Sequence, residues 1–291
     1  MKIQIKIFFI GLFLARLVSF AQQEKLALAY ELYNGNKLDS ARMLIDEVSN
    51  HPETSNDFQA WLIKAYVYKD LYKRNENSKE AGEIRNEAVK SFLKSRDLDV
   101  EKKELSNINQ NLKFLASKYF NESRSKIDTI HHLEAQGLSE EFKKINLLVD
   151  PNLSFTARDL EFYLALSSVF QVCYDNNASK NCLDYAKVYL QKAIDTDPSS
   201  VSAIKNMGIL YYNQGVNLIK KMEYDVSLEE LSNYQDQSIK LFYQAEPFLL
   251  KAFEMSPTDV TVLEGLQGIY FQLSDFDKSN DFKLKLESIT K

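Results

Sequence analysis

One pattern constrains this chain more than any other. Ala186-x3-Leu190-x2-Ala193-x4-Pro198 returns, with identical spacing, as Ala245-x3-Leu249-x2-Ala252-x4-Pro257. Steps of four, three and seven residues put small and large apolar side chains on one helix face, and the closing proline stops the helix. Each copy runs into a fresh helical pattern: Ile204, Met207, Gly208 and Tyr211 after the first, Leu263, Leu266 and Tyr270 after the second. A looser version opens the chain, where Leu28, Ala29 and Leu32 lead to Leu38, Ala41, Ile45, Val48 and Pro52, and Trp61, Ala65 and Tyr68 follow. A helix pair that cannot bury its apolar face alone must stack on its neighbours, so the repetition dictates architecture before any site is considered.

Composition points the same way. The 291 residues hold 8 Gly and 5 Pro, too few for the turns of an all-β fold or the phosphate loops of a Rossmann enzyme. Hydrophobic residues at 45% and aromatics at 12% exclude a disordered chain. Nucleic acid is not an expected partner, because 36 basic against 41 acidic groups leave a net charge of −5 and no concentrated basic surface.

The repeated pattern resembles the tetratricopeptide repeat, a helix–turn–helix unit of 34 residues. The resemblance implies an all-α fold of antiparallel helix hairpins stacked into a right-handed α-solenoid. It is good over residues 25–72 and 181–290 and poor between about 75 and 160. Ala186 and Ala245 lie further apart than one unit, so the fifth unit carries an insertion near 213–241, read as a protruding pair of elongated helices. There Ser227-x2-Glu230 reads as a capping box, and Pro247 falls inside a helical pattern, where it kinks rather than ends the helix. The periodicity predicts helices near 24–34, 38–50, 55–72, 79–96, 102–124, 127–135 and 138–148. It continues with 155–175, 182–196, 200–222, 227–255, 259–272 and 276–289. No Gly-, Pro- or Ser-rich linker divides them, so residues 22–291 read as one domain.

The first 21 residues read as an address. Lys2 and Lys6 precede the apolar run Ile7 to Ala15, and Ser19-Phe20-Ala21 supplies small residues for a signal peptidase. The run is too short for a membrane-spanning helix. Loss of Lys2, Lys6 and Arg16 with this segment takes the net charge from −5 to −8. The expected compartment is therefore the periplasm or the extracellular space. Cys173 and Cys182 suit it: two cysteines flanking a polar, loop-like segment read as a disulfide, the alternative being two buried or redox-active thiols.

Catalytic chemistry is sparse. The three histidines are His51, His131 and His132; Asp128 and His132 share a helical face, half of a metal site at most, with Glu134 on a different face. A solvated polar patch is the better reading. No Gly-x-Ser-x-Gly, Gly-x-x-x-x-Gly-Lys or His-Glu-x-x-His occurs, so no enzyme activity, metal or cofactor is expected.

What remains is recognition. The resemblance implies a concave groove lined by the first helix of each unit. Candidate partner-binding residues are then Gln59, Leu62, Tyr66 and Lys69, Ser202, Lys205, Ile209 and Tyr212, and Thr261, Glu264, Gly268 and Phe271. A basic clamp for carboxylates is echoed only by Lys205 and Asn206. The expected function is a non-enzymatic scaffold of the bacterial envelope that binds a protein or peptide partner. The alternatives are capture of a glycan or small molecule, and self-association through Phe242 and Phe248.

Overall fold

Helix starts are written into the sequence as short polar side chains that take up free backbone N–H groups. Asp57 accepts from the Gln59 amide at 2.8 Å, Ser179 from Cys182 and Asp259 from Val262 at 3.2 Å. Ser227 and Glu230 form the expected capping box, each side chain bonding the other's backbone. The computed structural model describes residues 21–220 and 227–290, and among these the secondary structure is entirely helical. The order is α1 (21–34), α2 (Leu38–Asn50), α3 (Phe58–Arg74), α4 (Ala81–Leu98), α5 (Leu105–Ser125) and α6 (His132–Val149). Then come α7 (Thr156–Asn177), α8 (Lys180–Thr196), α9 (Val201–Lys220), α10 (Leu228–Met255), α11 (Val260–Gln272) and α12 (Phe276–Thr290). The proposed export signal falls almost wholly outside the described residues, as does part of the insertion.

The helices gather into two compact units. The first takes the described residues up to Glu122 together with Leu138–Leu153; the second takes Ser123–Gly137 and everything from Ser154. In the first, Leu26, Ala29, Ile45, Val48 and Ala60 are buried together, which joins α1, α2 and α3. Further along, Ile84, Ala88 and Phe92 of α4 and Ile108, Leu112 and Leu115 of α5 carry the core, and Phe120 meets Phe142 at 5.0 Å.

The second unit shows what the repeated pattern does. Ala186, Leu190 and Ala193, like Ala245, Leu249 and Ala252, are all buried. Leu249 sits between two glycines: a Cβ on Gly208 of α9 or on Gly265 of α11 would stand 2.7 Å from it. Glycine is used here for close approach, since none of the chain's described glycines has a positive φ. Antiparallel helix hairpins stacked through small-residue contacts are the tetratricopeptide-like arrangement. Pro52, Pro198 and Pro257 stand in the turns that close hairpins, whereas Pro247 lies inside α10.

Three expectations are corrected. The two short helices expected at 127–135 and 138–148 are one, α6, which begins at His132 and continues through Gly137 because nothing there demands a turn. The polar segment between the cysteines is mostly helix. Only Ala178, left-handed at φ 49°, and Ser179 separate α7 from α8, and Cys173 and Cys182 are joined across that turn with their Cα atoms 5.9 Å apart. Phe242 is not available to the self-association surface expected around it and Phe248. Phe242 is 1% exposed, wedged against Gly215, and Phe248 is half-buried over Tyr211.

Candidate functional site

The first unit has an apolar cleft between α1 and α3, the first helices of two successive hairpins. Its volume is about 340 Å³, within the range of natural ligand clefts. Leu26, Ala27 and Tyr30 line it from α1 and Leu62 and Ile63 from α3, with Gln23 and Gln59 supplying amides. The walls have different origins. Leu26 is buried at the root, where it joins the core under α1, whereas Tyr30 is 51% exposed. An aromatic ring half in water beside an apolar cleft is the usual anchor of a recognition surface.

Of the groove residues expected on α3, Gln59 and Leu62 reach this cleft, and Tyr66 and Lys69 do not. Tyr66 stacks on Tyr33 at 6.3 Å and meets Phe92 edge-on at 5.4 Å. Lys69 is buried, its Nζ 4.7 Å above the Tyr66 ring and donating to Asn111 at 3.0 Å. Burial draws its ammonium below the usual lysine value. One step along the helix, Lys64 is also buried and bridges Asp46 and Glu87, both at 3.0 Å. These cations tie helices together.

On α9 the expected stripe faces α11. Lys205 donates to Asp259 at 2.6 Å, Ile209 lies against Gly265, and the Tyr212 hydroxyl sits on Gly268. Asp259 is held below the normal carboxylate range: burial raises it, and the Lys205 and backbone bonds outweigh that. A lysine so paired is not free to clamp a partner's carboxylate. Ser202, Thr261, Glu264 and Phe271 remain exposed, Phe271 edge-on to Phe276 at 5.9 Å. The periodic reading cannot separate side chains over a groove from those between adjacent first helices, one turn away.

The histidines part company. Asp128 lies in a turn before α6 and accepts from the backbone of Ile130 and His131 and from the His131 ring at 2.8 Å. Those bonds hold its carboxyl down at about 2. His132 turns inward instead, 5% exposed, its Nδ1 2.5 Å from the Tyr189 hydroxyl and its ring packed on Phe170 and Tyr185. Glu134 pairs with Lys126 at 2.8 Å. Among the described residues no group of three or more His, Cys, Asp or Glu is placed to hold a metal ion. Likewise, no helix among them is long and apolar enough to cross a membrane.

No protein-family model and no curated protein sequence matches the chain. Solved structures that align with it include the MamA protein, at 14% identity over 76% of this chain and 91% of that one, TM-score 0.31. The human IFIT1 dimer with m7Gppp-AAAA aligns at 16% identity over 90% of this chain and 67% of that one, TM-score 0.31. PilW, a type IV pilus biogenesis factor, aligns at 14% identity over 93% and 99%, TM-score 0.27.

Proposed function

We propose that this protein is a divergent tetratricopeptide-repeat scaffold, exported to the bacterial envelope, that binds a partner polypeptide in the cleft between α1 and α3. The observation that carries the reading is that cleft itself: Leu26, Ala27, Leu62 and Ile63 with an exposed Tyr30 above them and two amides at the edge. It suits an apolar side chain or two from a helix or an extended segment, while Gln23 and Gln59 meet the backbone beside them. Export rests on the first 21 residues and on the Cys173–Cys182 bond, which an oxidising compartment would preserve.

Photoreactive side chains at Tyr30 and Gln59, introduced one at a time in cells, test this. Both positions should trap the same discrete partner, Met43 (77% exposed, on α2) should trap none, and Leu62→Asp should abolish the adduct. An identical smear from all three positions, or an adduct indifferent to Leu62→Asp, would sink the reading. Localisation is checked separately, by the mass of the secreted mature chain.

A further inference from the structure

The second unit contains another cleft of a different chemistry, about 350 Å³, where the end of α7 faces the last turns of α9 and the middle of α10. Its apolar lining is Tyr174, Leu218 and Leu241, all half-buried. Around it stand four carboxamides, Gln214, Asn217, Gln237 and Gln244, and one ammonium, Lys240. Among the described residues no carboxylate lines it, although acidic groups outnumber basic ones in the chain.

The arrangement is built. Gln237, Lys240, Leu241 and Gln244 follow steps of three, four and seven, so α10 presents them on one face. Gln214 and Asn217 do the same on α9. Gln214 is 6% exposed and donates one amide hydrogen to the Leu210 carbonyl at 2.9 Å, and its side-chain oxygen accepts no hydrogen bond among the described residues. Lys240 forms no ion pair among them either. Tyr174 follows the cross-linked Cys173, and its carbonyl takes the Ala178 amide at 2.7 Å, so this wall is fixed covalently and by the turn. Gly215 lets α9 and α10 close behind the cleft, with Phe242 against it.

A carboxamide has two donor hydrogens and one acceptor oxygen, the complement of a hydroxyl that both donates and accepts, and Gln214 and Gln237 each keep one donor after bonding Leu210 and Asn233. A ring with hydroxyls at its rim and an apolar C–H face fits a cleft lined by four amides together with one tyrosine and two leucines. Lys240, the one cation among the described lining residues, selects a negative group. We infer that this cleft binds an acidic sugar, a uronate-type residue whose hydroxyls meet Gln214, Asn217, Gln237 and Gln244 and whose carboxylate meets Lys240. An acidic peptide is the poorer fit, because most of the ring is neutral amide and a single cation serves one carboxylate. This site does not depend on the α1/α3 cleft.

Calorimetric titration of the purified protein with glucuronate, galacturonate, glucose, acetate and an acidic peptide decides it. At least one uronate should bind saturably and glucose about tenfold more weakly, the loss of one hydrogen bond to a charged group. Lys240→Gln should reduce the uronate to the level of glucose, and Gln244→Ala should weaken both sugars. Both substitutions fall on exposed helix positions, so thermal melting should be unchanged. Three results overturn the inference: no saturable sugar binding, acetate or the peptide binding as well as the uronate, or binding indifferent to Lys240→Gln.

Discussion

At the scale of single residues, space and burial decide more than residue type does. Gly137 and Gly208 are both helical, yet a Cβ on Gly137 meets nothing within 4 Å, while one on Gly208 stands 2.7 Å from Leu249 and 3.2 Å from Phe248. Gly137→Ala should therefore stabilise the protein by about 0.5–1 kcal/mol through helix propensity. Gly208→Ala gains the same propensity but overpacks a filled core, for a net loss of about 1–2 kcal/mol. Urea unfolding of the two variants checks the opposite signs. His132 supplies a pH dependence. Burial lowers its pKa from 6.5, outweighing the attraction of Asp128, and Lys192 lowers it further. The folded state thus binds the proton less readily than the unfolded chain. Stability should be constant above the unfolded value and fall as pH drops from about 6.5 toward the folded value. His132→Gln keeps a partner for Tyr189 and should flatten that part of the profile; a parallel fall in both proteins would assign it to another group.

Elements were the most legible scale. Periodicity, caps and prolines place eleven of the described helices to within a few residues, because each signal is local: an apolar face, a polar cap, a ring that removes a donor. The misreading at 127–138 has a local cause as well. Gln136-Gly137 resembles a stop, but Gly137 keeps a negative φ and the helix runs on. The amide-ringed cleft was present as a spacing, Gln237-x2-Lys240-Leu241-x2-Gln244, but its meaning needs α7 and α9 brought opposite, which no single helix reveals. The α7–α8 turn yields an element-scale prediction. A cross-link nine positions apart restricts the unfolded chain by about 2–3 kcal/mol on the chain-entropy model. Cys173→Ser with Cys182→Ser should lower the melting temperature by roughly 5–10 °C. It should also weaken any ligand that leans on Tyr174, whereas Ala178→Gly, which removes a Cβ from a left-handed residue, should add about 1 kcal/mol.

For the whole molecule, the chain cannot be divided where its units meet in sequence. Each unit recruits a segment from beyond the other's first residues: Leu138–Leu153 returns to the first, and Ser123–Gly137 belongs to the second. A cut after Glu122 would take from the first unit Phe142, the ring partner of Phe120, and the buried Ile145. A fragment starting at Ser154 would lack Ala135, which packs among Phe162, Phe170 and Tyr189. It would also lose His132 and Gln136, whose bonds to the Tyr189 hydroxyl are 2.5 and 2.6 Å long. Removing those partners leaves a buried hydroxyl unsatisfied and an aromatic core open, each a loss of more than about 1 kcal/mol. Fragments 22–122 and 154–291 should therefore melt without a cooperative transition and bind hydrophobic dye. Fragments 22–153 and 123–291, which overlap, should each unfold cooperatively by circular dichroism. If 22–122 proved as cooperative as 22–153, the returning segment would be an ornament on the first unit rather than part of its core.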